Sequence, residues 1–123
     1  MPDLEAVVRI LLVDDKLEDA EQTISLLRNG GIAVRPSRPE SLKELEAALS
    51  GRSADLLLAS VKATSIPFQT VAETVQASGK DTTLIAVLDQ LDEATLTQAF
   101  EAGARNFVMR GRAENLRVVV KRE

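Results

Sequence analysis

The chain has 123 residues, which is the length of one ordinary domain. Hydrophobic residues make up 45% and charged residues 28%, so the chain can bury a core and is not a disordered segment. It has no histidine, cysteine, tryptophan or tyrosine, which excludes hydrolases with a histidine base or a cysteine nucleophile, cysteine-type zinc sites and aromatic platforms for stacking bases. The net charge of −4 argues against a nucleic-acid-binding protein, and no apolar run is long enough to span a membrane.

Apolar runs alternate with amphipathic stretches along the whole chain. Each run is short and nearly continuous, as expected of a strand that is buried on both faces of a sheet. The predicted strands are residues 8–13, 32–34, 56–59, 84–88 and 107–109. The predicted helices that follow them begin near Leu17, Ser41, Pro67, Asp92 and Ala113. This fivefold βα pattern with short connections predicts an α/β domain, with one parallel sheet between two layers of helices.

Polar residues and glycines mark several helix ends. Ser41 and Glu44 have the spacing of a capping box, and Asp92 has the residue type and place of an N-cap. Gly79 ends the third predicted helix. Phe100 falls on the apolar stripe of the fourth helix, so we expect it to face the core.

The carboxyl ends of the predicted strands are the place to look for chemistry, because ligands of open parallel sheets bind there. Asp14 and Asp15 end the first strand, and at least one of them must point into the crevice, where an arginine or a hard cation such as Mg²⁺ can offset their repulsion. The alternative is that one aspartate caps the next helix and the other is solvated. The third, fourth and fifth strands end at Ser60, Leu88 and Arg110. No glycine-rich phosphate-binding motif is present.

Three segments carry a resemblance to a known family. They are Ile10–Asp15 (ILLVDD), Asp55–Ser60 (DLLLAS) and Glu101–Gly111 (EAGARNFVMRG). In order and spacing they resemble the receiver (CheY-like) domain of two-component response regulators. The resemblance implies a flavodoxin-like, doubly wound sheet with strand order 2-1-3-4-5. It also implies an activity, since receivers accept a phosphoryl group from a histidine kinase on an aspartate that ends the third strand, assisted by Mg²⁺ on the acidic pair of the first.

The reactive groups of a receiver are replaced in this sequence. Ser60 stands at the position of the acceptor aspartate, and the chain has no histidine that could activate its hydroxyl. Leu88 stands where a threonine or serine would hold the phosphoryl group, and Gly111 stands where a proline would follow a cis peptide. With Arg110 in place of the lysine, these departures predict a non-enzymatic pseudo-receiver. Phe107 matches the aromatic residue that often changes rotamer on activation.

The acidic pair is present although the acceptor is not. Asp14 and Asp15 match the pair that holds Mg²⁺ in receivers, but loss of the acceptor removes a negative charge, so we expect no cofactor beyond weak Mg²⁺ binding. We hypothesise that Arg110 replaces the metal, because a guanidinium can bind a carboxylate bidentately, and that it holds the domain in one state. The alternative is that Arg110 is a solvated surface residue.

A narrower resemblance concerns the segment Ser25–Gly31 (SLLRNGG), the third strand without an acceptor and the ending VVVKRE. These features resemble the degenerate receivers at the N-terminus of GGDEF–EAL proteins of the FimX type, which are cyclic-di-GMP receptors connected with type IV pili and twitching motility. We expect a cytoplasmic protein, because residues 1–6 are acidic and not signal-like, and the resemblance implies recruitment to the cell pole. We expect residues 1–123 to form a single domain whose last helix, which lacks a terminating residue, continues into a downstream domain.

Three classes of function follow. We favour a module that binds a protein partner or a second copy through the fourth helix, fifth strand and fifth helix, as the resemblance implies. Basic residues gather in this part of the chain, namely Arg105, Arg110, Arg112, Arg117, Lys121 and Arg122. The first alternative is a phospho-accepting receiver with an atypical acceptor such as Asp89 or Asp55. The second is a small-molecule binder that uses the crevice.

Overall fold

The computed structural model describes residues 7–51, 54–79, 81–110 and 112–122, in which strands and helices alternate. The strands are β1 (Val8–Val13), β2 (Val34–Ser37), β3 (Leu56–Ser60), β4 (Thr83–Leu88) and β5 (Asn106–Met109). The helices are α1 (Leu17–Asn29), α2 (Leu42–Ser50), α3 (Phe68–Ser78), α4 (Glu93–Ala102) and α5 (Ala113–Arg122). Within these ranges, no helix combines the length and the apolar character that crossing a membrane requires.

The five strands form one sheet in the order β2-β1-β3-β4-β5, and every neighbouring pair is parallel. The prediction of an α/β domain with a doubly wound parallel sheet is confirmed, and so is the strand order that the receiver resemblance implied. Because all strands run in one direction, their carboxyl ends share one edge of the sheet. The residues that follow β1, β3, β4 and β5 therefore meet at this edge.

Alternate residues of β1 supply two separate cores. Ile10 and Leu12 pack with α1 and α5 on one face of the sheet, while Leu11 and Val13 pack with α2 and α3 on the other. A third cluster lies under α4 and includes Leu88 from the end of β4. The two-sided burial explains why the strands are nearly continuous apolar runs.

The predicted helix caps are present. The Ser41 hydroxyl accepts a hydrogen bond from the Glu44 backbone N–H at 3.2 Å, and the Glu44 carboxylate accepts one from the Glu40 backbone N–H at 2.7 Å. The Asp92 carboxylate accepts a hydrogen bond from the Thr95 backbone N–H at 3.3 Å. Gly79 follows α3 with a φ of 70°, a left-handed conformation in which glycine is favoured.

Two details of the sequence prediction are wrong. The second strand was predicted at residues 32–34, but β2 begins at Val34 and continues through Pro36 to Ser37. A proline fits there because β2 is an edge strand, which uses only one side for hydrogen bonds. Phe100 is 42% exposed and does not face the core. Its ring packs edge-on against Phe107 with the centroids 6.3 Å apart, beside the last strand of the sheet, where no further strand is available to cover it.

Candidate functional site

The carboxyl edge of the sheet brings together residues that follow three different strands. Asp14 follows β1, Asp89 follows β4 and Arg110 follows β5. The backbone N–H of Arg110 donates to the carbonyl of Leu88 at 2.8 Å, so the ladder between β4 and β5 continues to the base of the Arg110 side chain. This hydrogen bond fixes the position of the Arg110 backbone, and therefore the point from which its side chain extends.

The guanidinium of Arg110 bridges the carboxylates. Its Nη1 donates to Asp14 Oδ2 at 2.9 Å, and its Nε donates to Asp89 Oδ1 at 2.5 Å. Nη1 also lies 3.7 Å from Asp19 Oδ2 on the first turn of α1. The side chains of Arg110 and Asp14 are only 18% and 12% exposed, so water screens this pair less than a surface pair. Arg110 therefore divides its donors between two carboxylates and does not bind one of them bidentately.

One positive charge serves three carboxylates at this site. Burial lowers the pKa of Arg110, but the hydrogen bonds to Asp14 and Asp89 raise it by more, and the pKa ends above its usual range. The guanidinium therefore keeps its positive charge between the carboxylates.

Asp15 has a different partner from its neighbour Asp14. Its carboxylate accepts hydrogen bonds from the Thr64 backbone N–H at 2.9 Å, the Thr64 hydroxyl at 3.0 Å and the Ser65 backbone N–H at 3.0 Å. These bonds, first of all the one from the Ser65 backbone, lower the pKa of Asp15 to about 2. Asp15 thus holds the loop between β3 and α3. It does not cap α1, whose N-cap, Lys16, has no side-chain capping bond.

Arg38 is a member of the site that the sequence analysis missed. From the segment that follows β2, its Nε donates to the Asp14 carbonyl at 3.1 Å and its Nη2 donates to the Asp15 carbonyl at 3.0 Å. Its Nη1 also lies 3.6 Å from the Glu40 carboxylate. One guanidinium thus holds the backbone of the acidic pair, while Arg110 holds one of its side chains. A signal was present, because Arg38 follows the strand beside β1 and both strands end at the same edge.

Ser60 and Leu88, which the receiver resemblance singled out, are both buried. Ser60 is 4% exposed, and its hydroxyl accepts a hydrogen bond from the Lys62 backbone N–H at 3.2 Å. Leu88 is fully buried in the apolar cluster with Ala99 and Ala104. Phe107 is half-buried and contributes its ring to the edge of the same cluster. Gly111, expected at the proline position, lies outside the described residues.

Two of the basic residues near the end of the chain form contacts within the domain. Arg110 is occupied at the site, and the Arg117 guanidinium lies along α1, where its Nε donates to the Leu26 carbonyl at 3.2 Å. Arg112 is exposed. The side chains of Lys121 and Arg122 lie outside the described residues. The use of this basic part of the chain as a binding surface stays a prediction.

No family model and no curated protein matches the sequence. Many solved structures match the fold. One is the receiver domain of the response regulator NarL from Mycobacterium tuberculosis, with 18% identity, a TM-score of 0.79 and coverage of 94% of each chain. The chain has the receiver fold. A protein described as pilus assembly-related, from Burkholderia pseudomallei, has 18% identity and a TM-score of 0.74, with 94% of this chain and 87% of that chain covered.

A third similar structure contains a metal. It is the receiver domain of a sensor histidine kinase from Pseudomonas aeruginosa, with magnesium coordinated in its active-site cleft. It has 16% identity and a TM-score of 0.79, with 95% of this chain and 97% of that chain covered. At these identities the likeness concerns the fold, so the residues at the edge of the sheet have to be considered for themselves.

The donors at this edge do not fit Mg²⁺. The Asp15 carboxylate accepts three hydrogen bonds from the loop after β3, and Asp14 is paired with Arg110. Ser60 offers a hydroxyl in place of a carboxylate. Among the described residues, no three acidic side chains are arranged to hold a metal ion. A hard divalent cation needs several oxygen ligands, so it would first have to displace a guanidinium that is already in place.

The two aspartates considered as atypical acceptors lie in different places. Asp89 is at the carboxyl edge, where its carboxylate is hydrogen-bonded to Arg110. Asp55 immediately precedes β3 at the opposite edge of the sheet, and its carboxylate accepts a hydrogen bond from the Arg9 backbone N–H at 2.9 Å. The structure thus brings Asp14, Asp89 and Arg110 together and leaves Asp55 apart from them.

Proposed function

We propose that this protein is a pseudo-receiver, a non-enzymatic domain that takes up no phosphoryl group and serves bacterial signal transduction as an interaction, dimerisation or localisation module. The single observation that supports this most is the position of Arg110 between Asp14 and Asp89. In a receiver, an acidic edge must be open to a cation and a phosphoryl donor. Here a fixed positive charge from the chain itself is bound to that edge.

The side chains at the other strand ends support the same proposal. Attack on phosphorus from the end of β3 needs a nucleophile, and the Ser60 hydroxyl has no histidine base anywhere in the chain. Leu88 has no hydrogen-bond donor to offer a phosphoryl oxygen, and its burial places it in the core. Ser60 thus stands in place of the nucleophile and Leu88 in place of the hydroxyl residue, and Arg110 occupies the cation site.

The bonds at the edge also favour a single conformation. Arg110 joins β5 to Asp14, Arg38 joins the segment after β2 to the backbone of Asp14 and Asp15, and Asp15 holds the loop after β3. A switching domain needs two arrangements that differ by only a few kcal/mol. We propose that these bonds stabilise one arrangement permanently, so that the docking surface is always presented.

The docking surface in this proposal consists of α4, β5 and α5. Phe100 on α4 is 42% exposed and Val118 on α5 is 54% exposed, and Leu91 just before α4 is also exposed. Exposed apolar side chains that lie together on a surface are typical of protein contact sites. We propose that a protein partner or a second copy of the chain binds here.

The cellular context is proposed from the sequence resemblance. It is that of a cytoplasmic N-terminal regulatory domain of a GGDEF–EAL cyclic-di-GMP receptor, recruited to the cell pole and linked to type IV pili and twitching motility. In this context α5 leads into the downstream domains, which would bind the nucleotide. The likeness to the pilus assembly-related protein is a likeness of fold and adds no support to this context.

Beryllium fluoride tests the proposed loss of phosphoryl acceptance, because with Mg²⁺ it mimics a phosphoryl group on aspartate. We expect the amide spectrum of the isotope-labelled protein to be unchanged when beryllium fluoride and millimolar Mg²⁺ are added. Saturable shifts around Asp89 or Asp55 would instead show a receiver with an atypical acceptor.

Sedimentation tests the docking surface. If a second copy is the partner, the wild-type chain sediments as a dimer and Val118→Glu as a monomer. The matched control is Leu17→Glu, which changes an equally exposed leucine on α1 and should leave the dimer intact. A monomer at every concentration assigns the surface to a different protein, and a dimer that Val118→Glu does not disturb contradicts the proposed surface.

A further inference from the structure

A cavity of about 250 Å³ lies on the α2 side of the sheet, beside the edge strand β2, and shares no residue with the site described above. It is bounded by residues 9–11 of β1, residues 35–37 of β2 and the last turn of α2. The cavity exists because the facing side chains are small. Ala47 and Ala48 on α2, Gly51 after it and Ala54 before β3 leave a space that larger residues would fill. Most of its surface is apolar.

Two arginines stand side by side at this cavity. Arg9 on β1 and Arg35 on β2 are register partners in adjacent parallel strands, so their side chains leave the same face of the sheet about 5 Å apart at the backbone. Neither guanidinium forms an ion pair with any described residue. Asp55, which precedes β3, uses its carboxylate to accept a hydrogen bond from the Arg9 backbone N–H.

Two adjacent like charges are unfavourable on a sheet, and an anion between them removes the repulsion. Guanidinium groups recognise planar carboxylates through paired hydrogen bonds. The mostly apolar cavity beside them would not stabilise a fully polar anion, but it can bury a short apolar chain. Its volume lies just below the range of about 300–1,000 Å³ that is usual for drug-sized ligands.

We propose that this cavity binds a small monocarboxylate with an unbranched apolar chain, of the size of octanoate. The carboxylate lies between Arg9 and Arg35, and the chain enters the space under Ala48. This inference is independent of the proposed pseudo-receiver function, since the two sites share no residue.

The test titrates the isotope-labelled full chain with acetate, hexanoate and octanoate, below the concentration at which octanoate forms micelles. Each methylene that enters the cavity should tighten binding about fourfold. We therefore expect octanoate to bind about 16-fold more tightly than hexanoate, with saturable amide shifts around Arg9, Arg35 and Ala48. Equal affinities for acetate and octanoate, or shifts confined to other residues, would overturn the proposal.

Variants test the two halves of the site separately. Arg9→Gln and Arg35→Gln should each weaken octanoate binding about tenfold or more, because each removes a charge-assisted hydrogen bond. Arg112→Gln, an exposed arginine beyond the other end of the sheet, is the matched control and should bind as the wild type does. Octanol, which has the chain without the charge, should bind about tenfold or more weakly than octanoate.

Filling the cavity gives a second, independent variant. Ala48→Met places a larger side chain in the space and should abolish octanoate binding, while thermal denaturation reports whether the chain is still folded. If Ala48→Met is folded and binds octanoate normally, or if octanol binds as tightly as octanoate, the proposed mode of binding is wrong.

Discussion

Arg110 Nη1 lies 2.9 Å from Asp14 Oδ2, which joins the ends of β5 and β1. In the sheet these strands are separated by β3 and β4, so the arginine side chain extends across the carboxyl ends of both. Between them, the Arg110 Nε also donates a hydrogen bond to the carboxylate of Asp89, which follows β4. The space that a receiver keeps open for a cation and a phosphoryl group is therefore crossed by a guanidinium that belongs to the chain.

Removing the guanidinium should destabilise the fold. In Arg110→Ala, Asp14 loses its partner while it is still mostly buried, and we expect unfolding in urea to show a loss of about 2 kcal/mol. This lies between the ~0–1 kcal/mol of an exposed pair and the ~3–5 kcal/mol lost when a buried pair is broken. The double variant Asp14→Ala/Arg110→Ala should lose less than the sum of the two single variants.

The control for this series is Arg112→Ala, an exposed arginine for which we expect a loss within about 0.5 kcal/mol. If Arg110→Ala costs no more than this control, the contact with Asp14 has no role in stability.

Magnesium should distinguish the wild type from the same variant. In the wild type, a cation must compete with Arg110, so millimolar Mg²⁺ should leave the melting temperature unchanged. In Arg110→Ala, the carboxylates of Asp14 and Asp89 lose their shared positive charge and are free to rearrange around a cation, so Mg²⁺ should raise the melting temperature. An equal rise in both proteins would show that the arginine does not exclude the metal.

The bonds of Asp15 to the loop after β3 predict how stability depends on pH. The pKa of Asp15 is about 2 in the folded protein, whereas an unperturbed aspartate, as in the unfolded chain, has a pKa of 3.8. As pH falls, the unfolded chain therefore takes up the proton first. The stabilisation from Asp15 is complete above about pH 5 and is lost between about pH 4 and pH 2. The difference in unfolding free energy between the wild type and Asp15→Asn should shrink over that window.

Asp81→Asn is the matched control for this measurement, because Asp81 is an exposed aspartate on another part of the surface. Its difference from the wild type should stay constant over the same pH range. A constant difference for Asp15→Asn as well would mean that the loop bonds do not hold its carboxylate in the charged form.

Arg38 should rigidify the acidic pair. In Arg38→Ala, the carbonyls of Asp14 and Asp15 lose two charge-assisted hydrogen bonds, and we expect a loss of about 1–3 kcal/mol together with faster amide hydrogen exchange at residues 15–17. Arg38→Lys should recover only part of the lost stability, because an ammonium group cannot reproduce the paired donors of the guanidinium. Lys43→Ala, on the exposed side of α2, provides the comparison. Exchange rates equal to those of Lys43→Ala would contradict the role of Arg38.

The fold was accessible from the sequence because its signals are local and periodic. The apolar runs and helical stripes placed all five βα units, and the capping residues Ser41 and Asp92 were identified correctly. The position of β2 was predicted incorrectly because only the sheet order shows that β2 is an edge strand, in which a proline such as Pro36 is tolerated. The prediction that Phe100 faces the core was wrong because an apolar stripe on a helix does not show where the sheet beneath it ends.

The site was accessible only in part. Residues that end neighbouring strands can be grouped from the sequence, and this places Asp14, Asp89 and Arg110 at one edge. The direction of a side chain within a loop has no periodic signal. For this reason the bonds of Asp15 to Thr64, and those of Arg38 to the carbonyls, could be seen only in the structure.

The most direct test of the account is the intact mass of the protein after incubation with acetyl phosphate and Mg²⁺. We predict no added phosphoryl group on the wild type. The variant Ser60→Asp/Leu88→Thr/Arg110→Lys, which restores the groups that the receiver resemblance calls for, is the positive control and should gain one phosphoryl group that is labile to base. A phosphoryl group on the wild-type chain would contradict the account.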